Sequence, residues 1–168
     1  MCSSDLIYIQ KNNITVRGIS FNVDVDKYKS TDITTDADHI TGEGIIELSY
    51  QQIPTPCLWG IRKDGEIARL ILETDQQVQS WSRYTTQGKF KSIAIVSDAE
   101  ENDEIYFIVE RTINGITKKF VEVQEPNNKV DDLNRLYLDC SLTYNGVKST
   151  TLTLSNAIGS SDRKSTRL

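Results

Sequence analysis

Residues 53–84 constrain the fold of this chain more than any other stretch. Two apolar runs, Cys57–Ile61 and Ile67–Leu72, flank Lys63-Asp64-Gly65. A tight reversal between strands needs positive φ, which Gly, Asn and Asp adopt at least cost. Asp-Gly between such runs therefore predicts a β-hairpin. Pro54 and Pro56 lack an N–H and fit a connection or an edge, not a central strand. A third strand-like run carries Trp81 and Tyr84. The stretch reads as one antiparallel unit of a repeated all-β protein.

The rest of the chain repeats the theme. Leu6–Gln10 is apolar, and Lys11-Asn12-Asn13 turns it into Ile14–Phe21. Phe21, Val23 and Val25 alternate with Asn22, Asp24 and Asp26, the period of a half-buried strand. Residues 27–44 are polar and hold the one helical candidate, Thr34–Ile40, with Asp32 or Thr34 as its cap. Strands are expected again at Ile45–Tyr50, Phe90–Ser97, Ile105–Thr112 and Ile116–Val123, the last two joined by Asn114-Gly115.

Asn13, Gly65 and Gly115 stand 52 and 50 residues apart, each at a turn between strand-like runs. Periods of this size mark repeat architectures, and four strands per period make a propeller blade. Blades pack face to face, so inner strands are covered on both sides and read as continuous apolar runs. Ile105–Val109 and Leu70–Leu72 are such runs. The expected fold is all-β, with antiparallel four-stranded repeats forming a partial β-propeller over residues 7–125. A polar linker at 126–135 leads to the start of a further β module at 136–161. Its strands are expected at Leu136–Tyr144 and Thr150–Leu154, joined by Asn145-Gly146. A β-sandwich with long hairpins would give similar turn spacing and stays open.

The two ends form a pair. Cys2–Leu6 can be encoded by TGC-TCT-TCC-GAT-CTN, and Ser161–Leu168 by a string opening on its reverse complement. This resembles a sequencing-library adapter read through at both ends of an insert. Residues 1–6 and 162–168 are accordingly expected to be adapter-derived and are set aside from fold reasoning. The remainder reads as an internal piece of a longer frame.

Charge and cysteine usage narrow the function classes. A net charge of −5 with no basic stripe argues against a dedicated nucleic-acid binder. Cys57 and Cys140 both lie in apolar runs, which suits buried thiols better than a disulfide framework or a metal site. His39, the sole histidine, lies in Asp36-Ala37-Asp38-His39 with no second His to join it. It reads as a structural histidine bonding a loop backbone. The acidic run Asp98–Glu104 lacks the glycine and ligand spacing of a helix-loop-helix calcium site and reads as a solvated link. Trp59 and Trp81 could stack on sugars, but within apolar runs they read as core. Asn13-Ile14-Thr15 matches a glycosylation acceptor, which has meaning only with secretion. No Gly-x-Ser-x-Gly or phosphate-cradling loop occurs. No catalytic, cofactor-binding or metal-binding set is marked out, and the chain reads as no enzyme.

The ordered series YKSTDITTDADHIT, IIELSYQQIPTPCLWGIRKDGEI, VQSWSRYTTQGKFKSIAIV, DEIYFIVERTINGITKKFVEVQEP and LYLDCSLTYNG spans nearly all of residues 7–147. It resembles the tail nozzle proteins, or tail tubular proteins B, of short-tailed phages. The Trp59 hairpin with Asp64-Gly65, the Trp81 strand and the Arg111–Gly115 turn carry most of that resemblance. It implies a structural virion subunit bearing a β-propeller, made in the host cytoplasm and built into the phage tail. The implied partners are copies of itself in a ring, adjacent head–tail connector proteins, and DNA passing through without sequence-specific binding. Two other classes remain beside it: a glycan- or protein-binding propeller module of a tail or surface protein, and a sugar hydrolase on the same scaffold.

Overall fold

The computed structural model describes residues 6–73, 78–97, 102–124 and 139–140. The expected linker, the strands of the further module other than Asp139 and Cys140, residues 98–101 of the acidic link, and segments 1–5 and 162–168 lie outside the described residues. The described chain is all-β apart from one short helix. Its elements are β1 (Leu6–Ile9), β2 (Val16–Asn22), β3 (Lys27–Asp32), α1 (Asp38–Thr41), β4 (Ile45–Gln51), β5 (Cys57–Arg62), β6 (Ile67–Glu73), β7 (Val78–Tyr84), β8 (Lys89–Ser97), β9 (Asp103–Ile113) and β10 (Ile116–Val123).

The strands form three antiparallel sheets in chain order: β1-β2-β3, β4-β5-β6-β7 and β8-β9-β10. The middle sheet has the four strands expected of a repeat. Its neighbours have three each among the described residues.

Two local expectations are corrected. The alternation through Val23 and Val25 is not strand: β2 ends at Asn22, and Val23–Asp26 reverse the chain. The Asn22 carboxamide oxygen accepts the N–H groups of Asp24 (3.0 Å) and Val25 (3.4 Å), and Asp26 takes φ 49°. A side chain that satisfies the backbone in this way favours a turn over continued pairing. The polar run after it is then a strand, β3, lying at the edge of its sheet with Lys27 and Lys29 exposed. Lysines on an edge discourage pairing with another chain. The helix is shorter and later than expected, at Asp38–Thr41, with Ala37 preceding it and no side-chain cap. Asp32 instead accepts the Thr34 N–H at 2.8 Å and its hydroxyl at 2.7 Å, closing the turn after β3.

The sheets stack as layers. Each strand alternates its side chains between faces, so every sheet has a front, toward the preceding sheet, and a rear. Rear residues Ile7, Ile9 and Val16 of the first sheet, with Ile33 and Ile40, meet front residues Ile45, Leu58, Ala68 and Leu70 of the second. Rear residues Cys57, Trp59, Ile61 and Ile67 of the second meet front residues Phe90, Ile93, Ile105, Phe107 and Val109 of the third. The middle sheet is therefore covered on both faces, and β5 is buried at every position. A fully buried aliphatic or aromatic side chain contributes about 1.5–3 kcal/mol. These two cores thus hold the fold together, while the exposed edge of the first sheet adds little.

The same backbone contact joins each sheet to the next. At the β1–β2 turn, Asn13 has φ 62° and donates its N–H to Gln10 O. At the β5–β6 turn, Gly65 has φ 91° and donates its N–H to Arg62 O. The Asn13 carbonyl then accepts the N–H of Ile45, at the start of β4, and the Gly65 carbonyl accepts that of Phe90, near the start of β8. Positive φ aims each carbonyl out of its hairpin, where the next sheet begins. The strand order differs, however. Asn13 joins the first and second strands of its sheet, whereas Gly65 and Gly115 join the second and third.

The first strands of the second and third sheets share a further feature. β4 bulges between Ile45 and Glu47, and β8 between Phe90 and Ser92. A bulge bends its strand and re-aims a side chain. Here the Glu47 carboxylate accepts the Ser92 hydroxyl at 3.2 Å and the Ile93 N–H at 3.4 Å, tying one bulge to the other.

Candidate functional site

Chemistry-bearing side chains occupy the seams between sheets. Trp59, on fully buried β5, has no exposed surface. Its indole N–H donates to Gln51 Oε1 at 3.0 Å, Phe107 and Tyr84 meet it edge-on, and the Arg69 guanidinium lies 4.9 Å from its ring centre. Every side of the ring is taken, so Trp59 is core, as expected, and offers no platform for a sugar. Arg69 also donates to the Cys57 sulfur at 3.1 Å. Cys57 is buried as expected, Cys140 is only half-buried, contrary to expectation, and neither is in a disulfide.

Asp103 bridges the second and third sheets. Its Oδ2 accepts the N–H of Gln52 at 2.6 Å and of Ile53 at 3.0 Å, in the proline-containing β4–β5 connection. Burial pushes its pKa up, but the Ile53 and Gln52 N–H groups and the Ser97 hydroxyl outweigh that and hold it below the usual carboxylate value. Sequence reasoning placed this residue in a solvated link. Nothing in the local pattern marks a carboxylate whose donors lie fifty residues away.

Two buried arginines were also missed. Arg62 pairs with Asp64 at 2.6 Å and Glu66 at 3.1 Å across the hairpin. Arg111 pairs with both oxygens of Glu122 and with Asp139, and donates to Gln87 O. The Glu122 hydrogen bonds raise the Arg111 pKa against the opposing effect of burial. Asp139 is held low despite burial, by Thr86, the Gln87 N–H and Arg111. The Arg62-x-Asp64-x-Glu66 spacing was a readable signal, because alternate residues around a tight hairpin share a side. The Arg111–Asp139 contact had none.

One cleft gathers polar groups. Asp36, His39, Ile40, Gln79, Ser80 and Trp81 line a volume of about 320 Å³ between α1 and β7. Trp81 is half-buried, and its indole N–H, like the Gln79 amide, donates to Ile33 O, at 2.8 and 2.6 Å. These bonds fix the floor of the cleft. His39 is exposed at its rim and, among the described residues, makes no hydrogen bond to a loop backbone, contrary to expectation. The cleft can hold a small polar ligand against an indole, with a carboxylate and an imidazole beside it.

Among the described residues no three His, Cys, Asp or Glu side chains converge as metal ligands. Also among them, no helix is long and apolar enough to cross a membrane. No protein-family model matches the chain, and no curated protein is significantly similar to it.

Proposed function

We propose that this chain is a structural segment of a phage tail nozzle-type virion subunit, a run of β-propeller blades in the wall of a ring through which DNA passes. The sequence resemblance supplies the virion role. The observation that carries the architectural half is the repeated bond from a positive-φ turn to the next sheet, Asn13 to Ile45 and Gly65 to Phe90. A bond that recurs at successive interfaces is what a blade series produces. On this reading β1–β3 are the second to fourth strands of a blade, and all three turns then hold equivalent places.

Such a stack suits a wall. Densely packed cores between layers resist deformation, and an acidic chain would not retain passing phosphates as a basic lumen would. Partners are then further copies in the ring and the adjoining connector proteins. Electron microscopy of the assembled protein tests the reading: a closed ring with a central channel supports it, and a stable monomer overturns it.

The Trp81 cleft favours a second reading, a glycan- or protein-binding module. Saccharides quenching or shifting tryptophan fluorescence in the wild type, with the response lost in Trp81→Phe, would establish it. No response to a broad saccharide panel would remove the glycan form.

A further inference from the structure

The cleft between α1 and β7 has a bias in its hydrogen-bonding groups that narrows its ligand. Its floor has already spent donors. The Trp81 indole N–H, the only donor of that ring, and one N–H of the Gln79 amide both go to Ile33 O. What stays available is mostly acceptors. Asp36 is exposed at the cleft, and its carboxylate has no hydrogen bond or ion pair among the described residues. Gln79 Oε1 is likewise open there. The Ser80 hydroxyl and the neutral His39 ring can each both accept and donate.

The surroundings do not answer that carboxylate with a cation. No Lys or Arg lines the cleft. On β7, Arg83 pairs with Glu66 at 3.5 Å, and on β2, Arg17 donates to the Ser30 hydroxyl and carbonyl oxygens.

Ligand chemistry can be matched to this bias. A metal ion would want a third ligand beside Asp36 and His39, and among the described residues no such set converges. A sugar hydroxyl accepts as readily as it donates, so it leaves the surplus of acceptors unmatched. A guanidinium matches it. It carries donors and no acceptor, its planar fork meets a carboxylate with paired N–H groups, and its flat face stacks on an aromatic ring. The protein already uses that stacking in its core, where the Arg69 guanidinium lies 4.9 Å from the Trp59 ring centre.

We propose that the α1–β7 cleft binds a guanidinium group, stacked against the half-buried Trp81 ring and bonded to the Asp36 carboxylate, with Gln79 Oε1 and the Ser80 hydroxyl taking further N–H groups. The chemistry is the same for an arginine side chain of a partner protein and for a free guanidino compound. This rests on the reading of the cleft as a binding site, which it narrows, and is independent of the virion role.

Proton–nitrogen correlation NMR of the full-length chain, titrated in mildly alkaline buffer, tests it. Ethylguanidinium is expected to shift the Trp81 indole N–H signal saturably, together with the Ser80 and Ile40 amides. The indole signal of Trp59, buried in the other core, stays in place. Ethylurea keeps the shape without the charge, and tetramethylammonium keeps the charge without the donors. Each is expected to bind about tenfold more weakly or worse, the scale of hydrogen bonds to a charged group. Asp36→Asn is expected to weaken ethylguanidinium by a similar factor and to leave ethylurea unchanged. Asp36 holds nothing in the described fold, so this variant reports on binding and not on folding.

Acetyl-arginine methylamide separates the sources. Tighter binding than ethylguanidinium assigns the ligand to a peptide side chain, and equal binding to a free guanidino compound. Either control compound matching ethylguanidinium overturns the proposal, as does Asp36→Asn binding it as well as the wild type. Saccharides that move the Trp81 signal where ethylguanidinium does not also overturn it, yet leave the cleft a binding site. A Trp81 signal that no probe moves removes both.

Discussion

The Gly65 carbonyl accepts the N–H of Phe90 at 2.8 Å, so the hairpin of the middle sheet is fastened to the first strand of the third. Gly65 can do this because it holds φ 91° and has no side chain: a Cβ there would come within 2.7 Å of Lys89 Cβ. Gly115 has a similar φ of 77° but open space around it among the described residues.

The two glycines should therefore respond differently to alanine. Gly115→Ala is expected to cost about 1–2 kcal/mol, the strain of a left-handed non-glycine residue. Gly65→Ala adds a collision that overpacking data put at about 1–3 kcal/mol more. Denaturant unfolding of the two variants checks this, and equal losses would contradict it.

Trp59→Ala is expected to destabilise by about 3–5 kcal/mol, the usual range for emptying a buried aromatic site. It also strips Gln51 Oε1 of its donor and Arg69 of the ring it lies over. Trp59→Phe keeps much of the packing but not the N–H, and should lose less than half as much. Urea midpoints of the two variants separate packing from hydrogen bonding.

Asp103 gives the fold an acid-sensitive joint. Its folded pKa lies below the unfolded value of 3.8, so its bonds add stability that is fully present above that value. That stability is lost as pH falls from there through the folded pKa. Asp103→Asn is expected to lower stability near neutrality by about 1.5–3 kcal/mol, the range for hydrogen bonds to a charged group. It should also flatten the decline in acid. Thermal unfolding of wild type and variant between neutrality and strong acid measures both effects, and parallel curves would refute the assignment.

The Arg111 cluster predicts an asymmetry. Arg111 is 7% exposed, whereas Glu122 is 24% and Asp139 37% exposed. Glu122→Gln leaves a buried guanidinium short of charge and is expected to cost about 2–4 kcal/mol. Arg111→Met leaves two carboxylates that water can reach, and should cost less than Glu122→Gln. Stability measurements on the pair, with the double variant to close the cycle, decide it.

Much of the architecture was legible because the strongest signals were local. Asp64-Gly65 and Asn114-Gly115 each sit where positive φ is required, and β5, β6, β8, β9 and β10 follow apolar runs visible without any tertiary information. The first sheet was harder. β3 has almost no buried side chain to produce a pattern, and the valines after Phe21 imitate alternation while Asn22 turns the backbone. The seam residues were least legible of all. Asp103, Arg111 and Glu47 owe their roles to donors and acceptors brought close only by stacking, and no periodicity encodes them.

The burial of β5 on both sides has an evolutionary consequence. An ordinary surface strand can drift at every second position, because half of its residues face water. Here Leu58 packs in one core, Cys57, Trp59 and Ile61 in the other, and none of the six positions faces solvent. Substitutions in this strand have no neutral side on which to accumulate, so tolerance to random mutation should be lowest there.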